Sequence, residues 1–399
     1  MNGAPLRIAH LNSMLTGGGT DDQCVKLAHG LGQLHQRVTV LGPDDREFSR
    51  NTRQQGVPFQ PTPTEGPLKL RFILAAARFV RKTKVQIVHA HHGRDLWPAV
   101  MVRRMSGTLP LLVLTRHLAK SPSSWASRRF LLGQCDGLIA VSNFVAKVLR
   151  EGVYEPEAVE AERRSRPPLQ GDLSKITVIH PGIDTDRFQP SDATSLRQSW
   201  GVAPEHFVFA VVGGYDFPRG KGQREFLRAA AKIRTQVEHA RFLIIGRGDL
   251  KETLEQDIRE LGLQGRAWLT PYCHDMPAAM NALDCLVHPQ VGTEAFGAVL
   301  LEAFACGKPV IASALDGVTE AFEAGRQGRL VEPENVDALA AAIHEQAHQP
   351  SLTLSEKRAL HDRVAGQFSL AVLANKVLAY YQDLAAEHPR FARQRAVLG

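Results

Sequence analysis

Two glutamates, Glu294 and Glu302, stand in the segment EAFGAVLLEAFACGKPVIAS with seven residues between them. Glu294 precedes Phe296-Gly297, where a loop turns into an expected helix from Ala298 to Cys306. The first turn of such a helix has free N–H groups and the positive end of the helix dipole, which suits a diphosphate. Gly297 lets a phosphate come close to the backbone, and Phe296, Gly297, Ala298 and Val299 are the expected ligand-binding positions of this turn. Glu302 lies about one and a half turns further on. That is far enough from the phosphates to avoid strong repulsion, and its carboxylate suits hydrogen bonds from ribose hydroxyls.

Other residues fit the same chemistry. Arg219 and Lys221 follow the apolar run FVFAVV and precede a helical pattern, so both can face a pyrophosphate. An arginine offers a bidentate contact and a lysine a point charge, and together they can neutralise a leaving diphosphate. The first apolar run, LRIAHL, leads into the glycine-rich turn Gly17-Gly18-Gly19. This turn is not GxGxxG, and no acidic residue ends the second strand, which argues against a dinucleotide site. Asp21 and Asp22 either serve this loop or cap the helix that follows. His117 ends the run LLVLT-Arg116-His117, at a strand edge where active-site groups gather, although a strand-end histidine can also be structural. His89, His91 and His92 imitate a metal cluster but read as strand-end residues. Asp184 and Asp186 form a DxD inside GIDTDRF, which reads as a turn, so no metal is expected there. The five cysteines are scattered without a CxxC pair, the pattern of reduced, buried thiols.

Elements that could hold these groups alternate along the chain. Expected strands lie at 6–11, 37–41, 85–90, 111–115, 137–141 and 176–180, then at 207–212, 241–245, 267–269, 285–288, 309–312 and 330–331. Helical patterns intervene, among them 70–80, 143–150, 223–233, 250–261, 276–282 and 297–306, with 339–345 and 369–384 at the end. Strand, glycine turn, helix, strand is the opening of a parallel α/β sheet. Residues 151–174 break the rhythm with ERRSR at 162–166 and Pro167-Pro168, the composition of a loop or insertion. The expectation is two doubly wound, Rossmann-like domains, 1–183 and 184–368, with a last helix near 369–388 packing back on the first. A ligand cleft is expected between them, at the carboxyl ends of the strands.

With these segments in view the chain resembles the retaining glycosyltransferases of the GT-B fold, specifically glycosyltransferase family four. HPGIDTDRF at 180–188, RGKG at 219–222, GRGD at 246–249 and the two-glutamate segment at 294–313 carry the likeness. It covers most of the chain and is strongest from 137 to 332. The resemblance implies a nucleotide-diphosphate sugar as donor, with Glu294 on the sugar and Glu302 on the ribose. It also implies Gly18 and Gly19 beside the phosphates, and His117 near the reacting anomeric carbon. There His117 would orient the sugar or support positive charge and would not act as nucleophile. The family's arginine directly after the strand glycine is replaced by Gly214, so Arg219 is the substitute to be tested. The implied reaction is retaining transfer of a hexose-type sugar to a glycan or lipid-linked acceptor in envelope polysaccharide or lipopolysaccharide synthesis. It needs neither cofactor nor metal. With no carboxylate evident as nucleophile, a front-side substitution is expected.

The bulk numbers set limits. At 399 residues, 44% apolar and 22% charged, the chain is globular and large enough for two cores. No apolar run approaches the roughly 20 residues that span a bilayer, and Met1–His10 does not read as a secretory signal, so the cytoplasm is the expected location. Charge is uneven. Residues 1–180 carry 25 Lys/Arg against 14 Asp/Glu, and residues 181–399 carry 23 against 27. The basic half suits a membrane surface, a phosphorylated acceptor or nucleic acid, or is simply rich in surface arginine. Nucleic acid is disfavoured, because aromatics are 7% and are not interleaved with the basic residues. The expected helix from Lys69 to Lys84 mixes apolar residues with Arg71, Arg78, Arg81, Lys82 and Lys84, which raises peripheral contact with the inner face of a membrane. A GT-B sugar-nucleotide epimerase is the competing enzyme.

Overall fold

The computed structural model describes residues 4–13, 19–63, 69–152, 167–271 and 273–388. Gly18 and the basic stretch 162–166 lie outside the described residues. The chain divides into two compact units, one of residues 1–182 with 370–399 and one of residues 183–369.

In the first unit, strands β1 (Arg7–Leu11), β2 (Arg37–Gly42), β3 (Phe59–Pro61), β4 (Ile87–Ala90), β5 (Leu111–Arg116), β6 (Gly137–Ala140) and β7 (Ile176–Val178) form one sheet. Their order is β3-β2-β1-β4-β5-β6-β7, every pair parallel. Between them run helices α1 (Gly19–Gln33), α2 (Arg46–Gln54), α3 (Leu70–Thr83), α4 (Leu96–Met105), α5 (Trp125–Gln134) and α6 (Asn143–Glu151). Central strands covered on both faces carry unbroken apolar sequence. Leu111 to Leu114, for instance, are at most 1% exposed. The strand order reverses between β1 and β4, and the loops beyond their carboxyl ends part there.

The second unit contains α7 (Thr194–Ser199), β8 (Phe207–Val212), α8 (Gln223–Ile233), β9 (Ala240–Ile245), α9 (Lys251–Glu260), β10 (Ala267–Leu269) and α10 (Met276–Ala282). It continues with β11 (Cys285–His288), α11 (Ala298–Ala305), β12 (Val310–Ser313), α12 (Val318–Gly325), β13 (Gly328–Val331), α13 (Val336–Ala347) and α14 (Leu354–Phe368). Strand order is β10-β9-β8-β11-β12-β13, again all parallel, with the order reversing between β8 and β11. Helix α15 (Leu370–Glu387) then belongs to the first unit, where Leu373, Val377 and Tyr381 are buried in the core beside α1. Gly30 of α1 makes the close crossing possible, since a Cβ there would lie 2.9 Å from that of Ala374.

The two units are the paired parallel α/β sheets of the GT-B fold. Several elements exceed the sequence expectation. The helix expected at 70–80 continues to Thr83 and ends where Lys84 turns left-handed. Strand β7 stops at Val178, short of the expected His180. Helices α2, α4, α5, α7, α12 and α14 and the short edge strand β3 were not anticipated. The start of α14 is nevertheless written in the chain as a capping box, Thr353 with Glu356.

Candidate functional site

In the second unit the loops after β8 and β11 meet where the strand order reverses. Lys221, from the first loop, places its Nζ 2.6 Å from Oε2 of Glu294, from the second. Gly222 makes this possible. It has a positive φ and packs so tightly that a Cβ would lie 1.9 Å from the Pro289 carbonyl oxygen. Glu294 is held from three sides: Oε1 accepts the Ala295 N–H at 3.1 Å, its own N–H donates to Asp316 at 3.2 Å, and its carbonyl accepts from Gly317. Burial pushes the Glu294 carboxyl up, but Lys221, His288 and the Ala295 N–H outweigh that and hold it below its usual range. It therefore stays charged near neutral pH. His288, at the end of β11, is buried and its two ring nitrogens have no hydrogen-bond partner among the described residues. Burial lowers it to about 4, with Glu294 opposing and Lys221 assisting.

Helix α11 begins beside this pair. Its N-cap, Gly297, is left-handed with φ 88°, a conformation that glycine adopts without steric penalty. Leu300, Leu301, Ala303, Phe304 and Ala305 face the core, which leaves Ala298, Val299 and Glu302 together on the half-buried side, one turn apart. Phe296 takes a different part from the one expected: its ring is 3% exposed and packs 6.1 Å from the Phe368 ring, so only its backbone can face a ligand. Arg219 also diverges from Lys221, because Gly220 and its positive φ turn the chain between them. Its guanidinium pairs with Glu334 at 3.1 Å, on the exposed surface. Gly246 and Gly248 of GRGD press against the backbone of Gly213 and Tyr215, fixing the loop after β8 by close packing.

In the first unit, Gly19 opens α1 while Gly18 lies outside the described residues. Asp21 accepts from the Asn12 amide at 2.8 Å, and Asp22 pairs with Lys26, so both aspartates serve the fold here. Ser13 donates its N–H to the buried Asp95, which also receives the Ser13 hydroxyl and Lys69. Asp184 accepts the Arg187 N–H in a turn and Phe188 is buried, as a structural turn requires. Among the described residues all five cysteines are free thiols.

His117 follows β5 and is half-buried. Burial, with Arg116 assisting, lowers it to about 4. Its neighbours are histidines: His10 on β1, His89 on β4 and His91 just beyond. His10, His89 and His91 bring ring nitrogens within 4.8 Å of one another. Yet Nδ1 of His10 faces Nε2 of His91 at 2.7 Å, closer than the roughly 3.3 Å that separates two ligands of a tetrahedral zinc. His89 is engaged at both nitrogens, with the hydroxyls of Tyr381 and Thr115 at 2.5 and 2.6 Å. The cluster is built as a hydrogen-bond network. Sequence reasoning missed His10, Asp316 and Asp95, because nothing local marks residues whose partners lie 22 to 82 positions away, and it missed His288, whose ring nitrogens have no hydrogen-bond partner among the described residues.

Residues 206–348 match the family of glycosyl transferases group 1, and residues 17–160 match glycosyltransferase family 4. A D-inositol 3-phosphate glycosyltransferase of Mycolicibacterium smegmatis is 34% identical over 236 residues, 56% of this chain and 52% of that protein. One from Geodermatophilus obscurus is 35% identical over 335 residues, 78% of this chain and 69% of its own length. The chain spans about half the length of the first of these relatives. Among solved structures, a glycosyltransferase from Rickettsia africae superposes with a TM-score of 0.77 at 20% identity, covering 96% of this chain and all of that one. Anabaena HepE in complex with UDP gives 0.75 at 22%, covering 95% and all.

Proposed function

The chain belongs to the group 1, family 4 glycosyltransferases, and from that premise we propose that it transfers a hexose-type sugar from a nucleotide diphosphate to an acceptor, with retention of configuration. The observation that carries this reading is the Lys221–Glu294 pair at the β8/β11 reversal of strand order, beside the start of α11. Lys221 and the first N–H groups of α11 suit a pyrophosphate, Glu294 a sugar hydroxyl, and Glu302 the ribose. In the reaction the anomeric carbon–oxygen bond to phosphate breaks while the acceptor oxygen bonds to the same face. The departing phosphate oxygen takes the acceptor's proton. Lys221 and the helix amides stabilise the charge that develops there, so rate comes from positioning and electrostatics without a strong side-chain base. Arg219 joins only if it leaves Glu334. Neither a metal nor a cofactor enters this reading.

The acceptor is assigned to the basic first unit. A glycan or lipid-linked acceptor at a membrane is supported by the surface of α3 to α5, where Leu70, Leu74, Trp97, Met101, Met105, Trp125 and Phe130 are exposed among arginines. A phosphorylated small acceptor is the second reading, favoured by the names of the relatives and by the same positive charge. No described helix is long and apolar enough to cross a membrane.

The test is ligand-induced thermal stabilisation by a panel of nucleotide diphosphates, on the wild type and on Glu302→Ala. Stabilisation by one nucleotide, lost in the variant, is expected and would also name the base. A flat response to every nucleotide would overturn the transferase reading. Release of free nucleotide from the sugar nucleotide with an altered sugar and no acceptor would instead favour an epimerase.

A further inference from the structure

The first unit holds a line of imidazoles that the donor chemistry leaves unexplained. Nδ1 of His10 lies 2.7 Å from Nε2 of His91, and Nδ1 of His91 lies 3.4 Å from Nε2 of His117. The rings of His10 and His91 stack with centroids 5.0 Å apart, and those of His91 and His117 with centroids 5.7 Å apart. Burial lowers all three below the usual range, so each is neutral near pH 7.

A neutral imidazole carries one N–H and one lone pair. Each contact in the line needs one of each, so the proton position on one ring dictates it on the other two. Two arrangements satisfy both contacts. In one, every ring is protonated at Nδ1: His10 donates to His91, His91 donates to His117, and His117 keeps an Nδ1–H. In the other, every ring is protonated at Nε2, the donations reverse, and His117 presents a bare, basic Nδ1.

The inner end separates them. Among the described residues, Nε2 of His10 is buried with no hydrogen-bond partner. The second arrangement makes that atom an orphaned N–H, whereas the first makes it an unused lone pair. Buried N–H groups without an acceptor are the rarer defect in folded proteins. At the outer end, Nδ1 of His117 makes no hydrogen bond among the described residues and is not one of the buried atoms left without a partner.

We propose that His10 and His91 are positioning residues that lock the tautomer of His117, so that it presents an Nδ1–H donor and not a basic nitrogen. His117 then hydrogen-bonds a substrate oxygen and is removed as a general base, consistent with a reaction in which the leaving phosphate takes the proton. The part His117 plays toward substrate rests on the transferase reading; the tautomer does not.

The experiment uses the full chain with isotope-labelled histidine. Long-range proton–nitrogen correlation reads the protonation of each ring nitrogen near neutral pH, and His117→Gln identifies the His117 signals by their loss. In the wild type His117 and His91 are expected to carry the proton on Nδ1. His10→Leu removes the donor that starts the line, so His117 should become a mixture of both tautomers. His10→Asn, whose amide can stand in for the Nδ1–H, should restore a single form. A wild-type His117 protonated at Nε2 overturns the proposal, and this arm stands even if His10→Leu fails to fold. An unchanged His117 in a folded His10→Leu overturns it as well. So does stoichiometric zinc in the purified protein whose removal by chelator shifts the His10 and His91 signals. A flat nucleotide panel would sink the transferase reading while leaving these spectra as they are, so the two failures are distinguishable.

Discussion

Lys221 lies 2.6 Å from Glu294, and among the described residues neither group has another ion pair. Removing the lysine strands a mostly buried carboxylate and, on the proposed reading, withdraws a cation from the diphosphate. A charge-assisted hydrogen bond of this kind contributes about 1.5–3 kcal/mol. Lys221→Met should therefore weaken nucleotide diphosphate binding by roughly tenfold or more. Arg219→Met should change it by less than about twofold, since its partner Glu334 lies on the exposed surface. Calorimetric titration of both variants checks this, and equal losses would return Arg219 to the phosphate site. At the same scale, His10 and His288 are neutral when folded, lowered by burial to about 3 and about 4 from 6.5. The unfolded chain takes up protons below pH 6.5 that the folded chain refuses. Stability is thus fully present above that pH and falls as pH drops toward 4, by up to roughly 1.4 kcal/mol per pH unit for each histidine. Denaturant midpoints at pH 7, 6 and 5 isolate this window from the carboxylates, and a flat profile would contradict it.

At the scale of elements, the exposed side of α3, α4 and α5 invites a direct measurement. Trp125 is 64% exposed and packs edge-on to Phe130, over which Arg129 lies at 5.3 Å. On anionic lipid each basic residue near the surface contributes about 1 kcal/mol, so reversing Arg78, Arg81 and Lys82 to glutamate should lower vesicle binding by roughly 100-fold or more. Sedimentation with phosphatidylserine vesicles reads this; indifference to the reversal would leave the soluble, phosphorylated acceptor. Gly222→Ala is the companion test on the second unit. Its Cβ would collide with the Pro289 carbonyl, so Lys221 should be displaced and nucleotide binding lost while the rest of the unit stays folded. The strands that carry these loops were legible because two-sided burial demands unbroken apolar runs, as in FVFAVV and LLVLT. Helices such as α2, REFSRNTRQ, were not, because one narrow apolar stripe in a polar segment resembles a loop. The motif residues Glu294, Lys221 and Glu302 were readable by type and spacing. The separate partners of Arg219 and Lys221, Glu334 and Glu294, were not, since they depend on how Gly220 and Gly222 bend a four-residue loop.

Over the whole molecule, the two sheets repeat one plan, each all-parallel with its strand order reversing near the centre, at β1/β4 and at β8/β11. The histidine line occupies the first of these places and the Lys221–Glu294 pair the second. Charge divides differently: 25 Lys/Arg against 14 Asp/Glu in residues 1–180, and 23 against 27 in the rest. That imbalance was evident from composition, whereas the identity of the anion it meets is chemistry that no count of charges supplies. The Tyr381 hydroxyl, from α15, reaches His89 on β4 in the middle of the first sheet. A chain ending at Ser369 should therefore leave the first unit sensitive to protease and the second resistant, which limited digestion would read. On the ribosome this has a timetable. The first unit's strands emerge early, but residues 183–369 must all be made before α15 appears. At about 5–20 residues per second, that is a wait of roughly 10 to 40 seconds with the groove for α15 open. During that interval the first unit's core lacks Leu373, Val377 and Tyr381, and the second unit is translated in the company of an unfinished neighbour.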